Sequence, residues 1–222
     1  MQSHLFDQAN LENEVSDRFA LQNAQMLRVH LGDDVLATKG TMVAYQGQVT
    51  FEHEKSGSVG KLFKKVMTGE DVSLMRVRGQ GDVFFASDAG YVHLVELTGD
   101  GLSVNFRNLL AFDSSVEWDI KRVEGAGLMS GGLFNTVLSG HGTVAIHTKG
   151  SPVVLDCSQQ PTYVDVQACV GWSSSLAPKV VSSLNMRSML RGGSGEAFQY
   201  AFHGPGFVVV QADEWVPPTT NS

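Results

Sequence analysis

The sequence is short of cysteine and of charge, and it holds no long apolar run. Its two cysteines, Cys157 and Cys169, form no C-x-x-C pair. Neither a disulfide framework nor a thiolate metal site is indicated, and both read as small buried hydrophobes of a reducing compartment. No stretch approaches 18 uncharged apolar residues, which excludes a membrane-spanning helix. The first residues, Met1 to Asp7, lack a basic segment followed by an apolar one, so no signal peptide is expected and the expected location is the cytoplasm. Lys and Arg number 16 against 23 Asp and Glu, a net charge of −7. That balance disfavours a nucleic-acid partner, which calls for a basic face.

Catalytic signatures are missing as well. Gly57 to Lys61 ends like a phosphate-binding loop, but Lys55 stands where its first glycine belongs and Leu62 where its Ser or Thr belongs. Gly79-x-Gly81 and Gly140-x-Gly142 lack the third glycine of a dinucleotide fingerprint, holding Phe84 and Ala145 there, and both lead into strands. No Gly-x-Ser-x-Gly elbow surrounds Ser130 or Ser194. The seven histidines show no H-x-H or H-E-x-x-H spacing. No enzyme, cofactor or metal is therefore expected.

What is present is glycine, 24 residues, and alternation. Leu27, Val29 and Leu31 alternate with Arg28 and His30, which predicts a strand half-buried on one face. Met42–Tyr45 and Val49–His53 read as two strands across a turn at 46–48. Strands are likewise expected at 72–78, 83–86, 91–97, 109–112, 116–120, 133–139, 153–155, 163–166 and 207–210, with Gly99-Asp100-Gly101 as a turn. Gly140-x-Gly142-x-Val144 recurs as Gly79-x-Gly81-x-Val83 and Gly204-x-Gly206-x-Val208. Cys169 to Leu176 echoes Leu109 to Val116 in nearly the same register. Agreement at several positions predicts an all-β chain of about three copies, at roughly 26–78, 79–139 and 140–212. Such copies would be repeated β-sandwich or pseudobarrel units around a pseudo-symmetric axis, in one domain over 1–212 with a flexible tail over 213–222.

Two groups of residues are candidates for binding. Thr38-Lys39-Gly40 and Thr148-Lys149-Gly150 are identical turns, and if equivalent they would set Lys39 and Lys149 on one rim facing an anionic ligand. His141 and His147 straddle one strand of the central copy, and His203 occupies the turn before the last glycine pair. The second group is a basic amphipathic stretch holding Lys61, Phe63, Lys64 and Lys65, suited to weak contact with an anionic membrane or to a solvated flap. With no catalytic set, the leading expectation is an oligomeric scaffold or interaction protein, either a homo-oligomer or one with a protein partner. A small-ligand or anion-binding module is the alternative.

Thr38-Lys39-Gly40-Thr41-Met42-Val43-Ala44-Tyr45, Thr68-Gly69-Glu70, Leu133 to Val144 and Val170-Gly171-Trp172 together resemble the altered-inheritance-of-mitochondria twenty-four family, over about residues 1–212. The resemblance implies a fold like that of the tryptophan RNA-binding attenuation protein, with β units repeated in one chain, and it implies oligomerisation. It carries over no catalytic residue, and a fold name transfers neither RNA nor tryptophan binding.

Overall fold

The computed structural model describes residues 2–13, 15–54, 73–123, 134–182 and 198–214. The basic stretch with Lys61, Phe63, Lys64 and Lys65, and the chain beyond Glu214, lie outside the described residues. Fifteen strands are described: β1 (Phe19–Asn23), β2 (Met26–Leu31), β3 (Val35–Thr38), β4 (Met42–His53), β5 (Leu74–Phe85), β6 (Tyr91–Val104), β7 (Leu109–Asp113), β8 (Glu117–Arg122), β9 (Phe134–Thr148), β10 (Val153–Asp156), β11 (Thr162–Asp165), β12 (Cys169–Ser173), β13 (Lys179–Ser182), β14 (Phe198–Phe202) and β15 (Phe207–Val210). The chain is all-β, as its alternation predicts, and every described pairing is antiparallel.

Twelve strands form one large open sheet, in the order β1-β2-β5-β3-β7-β9-β6-β12-β15-β10, with β4 on β5 and β8 on β9. A second sheet runs β11-β14-β13. Three apolar clusters fill the interior. The first gathers Leu27, Val29, Val83 and Phe85, the second Leu102, Phe112, Leu138 and Val144, and the third Trp172, Tyr200, Phe202 and Val208. In the third, the Trp172 ring lies 5.2 Å from Tyr200 and 5.4 Å from Phe202 in tilted and edge-to-face contact.

Several expected turns are strand interiors. β4 runs unbroken through Gln46-Gly47-Gln48, because Gly47 pairs with Gly81 on β5. β5 and β9 likewise pass through their glycine pairs, and β6 passes through Gly99-Asp100-Gly101 with only a register shift. All six glycines of the recurrent motif have positive φ, from +105° at Gly140 to +151° at Gly206. The first two pairs bend a central strand between two sets of partners, and the third pair lies between β14 and β15. The first half of β5 lies between β3 and the end of β4, and its second half between β2 and the start of β4. β9 is flanked in its first half by β6 and β8 and in its second half by β6 and β7.

Arg28 departs from the alternation. It is buried, and its guanidinium donates to the carbonyls of Asn13, Val15 and Asp17, so it straps the N-terminal arm across β1 and β2. Satisfying a buried cation with several carbonyls is what lets a polar residue sit on an inward face.

Candidate functional site

A cleft of about 450 Å³ opens at the C-terminal end of β9. β9 supplies His147 and Lys149, the 3-10 turn Phe106–Asn108 supplies Arg107 and Asn108, and the last described segment supplies Gln211 and Asp213. Asn108 holds these parts together: its side-chain amide donates to the His147 carbonyl at 2.8 Å and to Gln211 Oε1 at 3.1 Å. Gln211 Oε1 also accepts from the Lys149 amide at 3.2 Å. Across the cleft, Asp88 and Ala89 both have φ +50° and Gly90 N donates to Ser87 O at 2.8 Å, a tight turn that asparagine-like side chains tolerate. It sets the Asp88 carboxylate on the cleft wall.

His147 is the chemically distinctive member. It is 4% exposed, and its Nε2 meets the Arg107 carbonyl at 2.6 Å. A carbonyl only accepts, so Nε2 carries the proton and Nδ1 the lone pair in the neutral ring. That Nδ1 is buried without a hydrogen-bond partner among the described residues. Burial pushes the imidazole below its ordinary range, and nearby Lys149 adds to this while the Arg107 carbonyl and Asp88 oppose it. The cleft lining thus holds a buried neutral imidazole, with Nδ1 packed toward Gly90, and an ion pair in which Lys149 Nζ sits 3.4 Å from Asp213 Oδ2.

The residues singled out from sequence do not converge. Lys149 lines the cleft and Thr38 reaches it, but Lys39, His141 and His203 are exposed and are not among its lining residues. The two Thr-Lys-Gly turns are not equivalent either. Thr38 ends β3, where Lys39 N donates to Ser73 O, whereas Thr148 ends the central strand β9 opposite Tyr91. Asp88, Asn108 and Gln211 come from separate loops and carried no sequence signal. His147 does sit on a recognisable strand, but its burial at the strand end was not legible. Among the described residues no three His, Cys, Asp or Glu side chains are placed to share a metal ion. Cys169 is buried, which pushes its thiol well above the ordinary range and suppresses the thiolate. No described helix is long and apolar enough to cross a membrane.

Comparison with curated proteins gives no match. Among solved structures, the chain is similar to a Streptococcus pyogenes protein whose crystal structure came from a structural-genomics programme, with a TM-score of 0.70 and 22% identity over 88% of this chain and 92% of that one. At that identity the likeness shows the fold. A family model described as mitochondrial biogenesis AIM24 matches residues 19–213, and the chain belongs to that family.

Proposed function

We propose that the protein is a non-enzymatic scaffold or interaction protein that self-associates through its strand edges, built from three kindred β units in one domain. Three registers support the kinship. Counting two residues past the second glycine, Val83 pairs with Val29 and Tyr45, Val144 with Val95 and Phe112, and Val208 with Leu155 and Trp172. Each of Val83, Val144 and Val208 sits fully buried in a different apolar cluster. Residence in a reducing compartment such as the cytoplasm belongs to the same reading, and the two free buried cysteines support it.

The observation that carries the functional reading is β4. Among the described residues it pairs only with β5, it exposes Val43 and Tyr45, and no charged residue falls between Met42 and Phe51. A long uncharged edge offers backbone donors and acceptors to another chain, whereas edges that avoid pairing carry lysine, proline or a cover. β8 is such a guarded edge, with Glu117, Asp119, Lys121 and Arg122 in six residues. Light scattering after size exclusion, with a pull-down, tests the proposal: a multimer or a specific partner supports it, and a strict monomer with no partner rejects it.

The His147 cleft favours a second reading, a site for a small polar molecule held by the polar lining of Lys149, Asn108 and Gln211 beside His147. A thermal-shift screen of small polar molecules checks it. A shift lost in His147→Phe and Lys149→Ala but kept in Lys39→Ala supports the cleft. A shift indifferent to His147→Phe puts the ligand elsewhere.

A further inference from the structure

The three-unit reading above, on which this inference rests, leaves one joint between units unfilled. Within the chain, units one and two meet where β3 pairs with β7, with Leu36 opposite Phe112 and Ala37 opposite Ala111. Units two and three meet where β6 pairs with β12, with Ser103 opposite Trp172 and Val104 opposite Gly171. The two are the same joint. Leu36 and Ser103 pair on their own central strands with Arg76 and Val137, each three residues before the first glycine of the pair. By that count the third-unit counterpart is Tyr163, which pairs with Ala201 three residues before Gly204.

On the other side of the joint, Phe112 and Trp172 pair with Val144 and Val208, and the first-unit counterpart is Tyr45, which pairs with Val83. The match extends to an irregularity. The register shifts between Leu109 and Ala111, between Cys169 and Gly171, and between Met42 and Ala44. The third unit therefore ends in β11 with its outer edge unpaired, and the first begins with the unpaired outer edge of β4, among the described residues. Exposure tells the same story: Leu36, Phe112, Ser103 and Trp172 are at most 4% exposed, whereas Tyr45 is 49% and Tyr163 59% exposed.

We infer that β11 of one chain pairs antiparallel with the first half of β4 of a second copy, setting Tyr163 opposite Tyr45, Thr162 opposite Gln46 and Val164 opposite Ala44. The occupant is a second copy because each chain carries both halves of a joint it already makes twice internally, and within one chain these two halves are not paired. Each copy offers one β4 edge and one β11 edge, so the contact closes reciprocally in a two-fold pair or builds a larger ring or an open chain of copies. Main-chain hydrogen bonds supply the attachment, and the cross-strand tyrosine pair and the shared bulge fix the register.

The test uses purified full-length Tyr45→Cys and Tyr163→Cys, cross-linked with a short bismaleimide; native Cys157 and Cys169 are buried. A covalent dimer that forms in the mixture and in neither variant alone is expected, and the doubly substituted chain should cross-link between copies without a second variant. A cross-link confined within single chains overturns the inference. Separately, Tyr163→Asp, with an unchanged circular dichroism spectrum, should weaken self-association at least about tenfold, while Val153→Asp on β10 leaves it unchanged. Multimers indifferent to Tyr163→Asp overturn this joint and leave the scaffold reading standing. A strict monomer without partners removes both.

Discussion

Alanine at Gly81 and alanine at Gly140 separate two demands that the glycine motif combines. Both positions have positive φ, +131° and +105°. A side chain in such a conformation costs on the order of 1–3 kcal/mol at either site. The sites differ in the space around them. A Cβ at Gly140 meets nothing within 4 Å, whereas one at Gly81 collides with the Gln46 carbonyl oxygen and lies 2.9 Å from its carbon and 3.0 Å from Gly47 Cα. Those atoms are backbone of β4, paired along its length to β5, so relief requires parting the strands. Overpacking of this kind adds about 1–3 kcal/mol. Gly140→Ala should therefore lose about 1–3 kcal/mol and Gly81→Ala about 2–6 kcal/mol, with Gly81→Ala the larger loss. Urea denaturation monitored by tryptophan fluorescence reads both losses, with the slope of the transition checked for constancy. Equal losses in the two variants, or a smaller loss at Gly81, refute the argument that close strand approach fixes this glycine.

Phe112→Ala should cost about 3–5 kcal/mol of unfolding free energy, because the ring is fully buried; Tyr45→Ala at the corresponding exposed place should cost under about 0.5 kcal/mol in dilute monomer. Arg28→Met removes the donors that hold Asn13, Val15 and Asp17, so limited proteolysis should cut in residues 11–18 at a protease dose that spares the native chain. His147 is held below its ordinary pKa by burial, so the unfolded chain binds that proton first. The associated stability is complete above about pH 6.5 and is lost as pH falls from there through the lower folded value. Urea midpoints from pH 8 to pH 5 should show the decline, and His147→Gln should flatten it.

The all-β class was legible because Leu27, Val29 and Leu31 alternate in a way that only a strand buries together. The glycine pairs were legible as a recurrence, but their role was not. Gly79 and Gly81 could equally have closed a hairpin; that they bend an unbroken strand depends on β4 lying against them, a contact separated by some thirty residues of chain. Arg28 was read as an outward residue, since its carbonyl partners belong to an arm with no pattern of its own. The Thr-Lys-Gly identity suggested equivalent lysines, yet Thr38 ends β3 opposite Leu74 on β5, and Thr148 ends β9 opposite Tyr91 on β6. The His147 cleft is assembled from six separated segments, and no local spacing encodes such a meeting.

Amide hydrogen exchange across a protein concentration series tests the central claim most directly. The account predicts that segments 42–47 and 162–165 gain protection together as concentration rises, while protection of the charged edge 117–122 does not change with concentration. Exchange in 42–47 and 162–165 that is independent of concentration contradicts it.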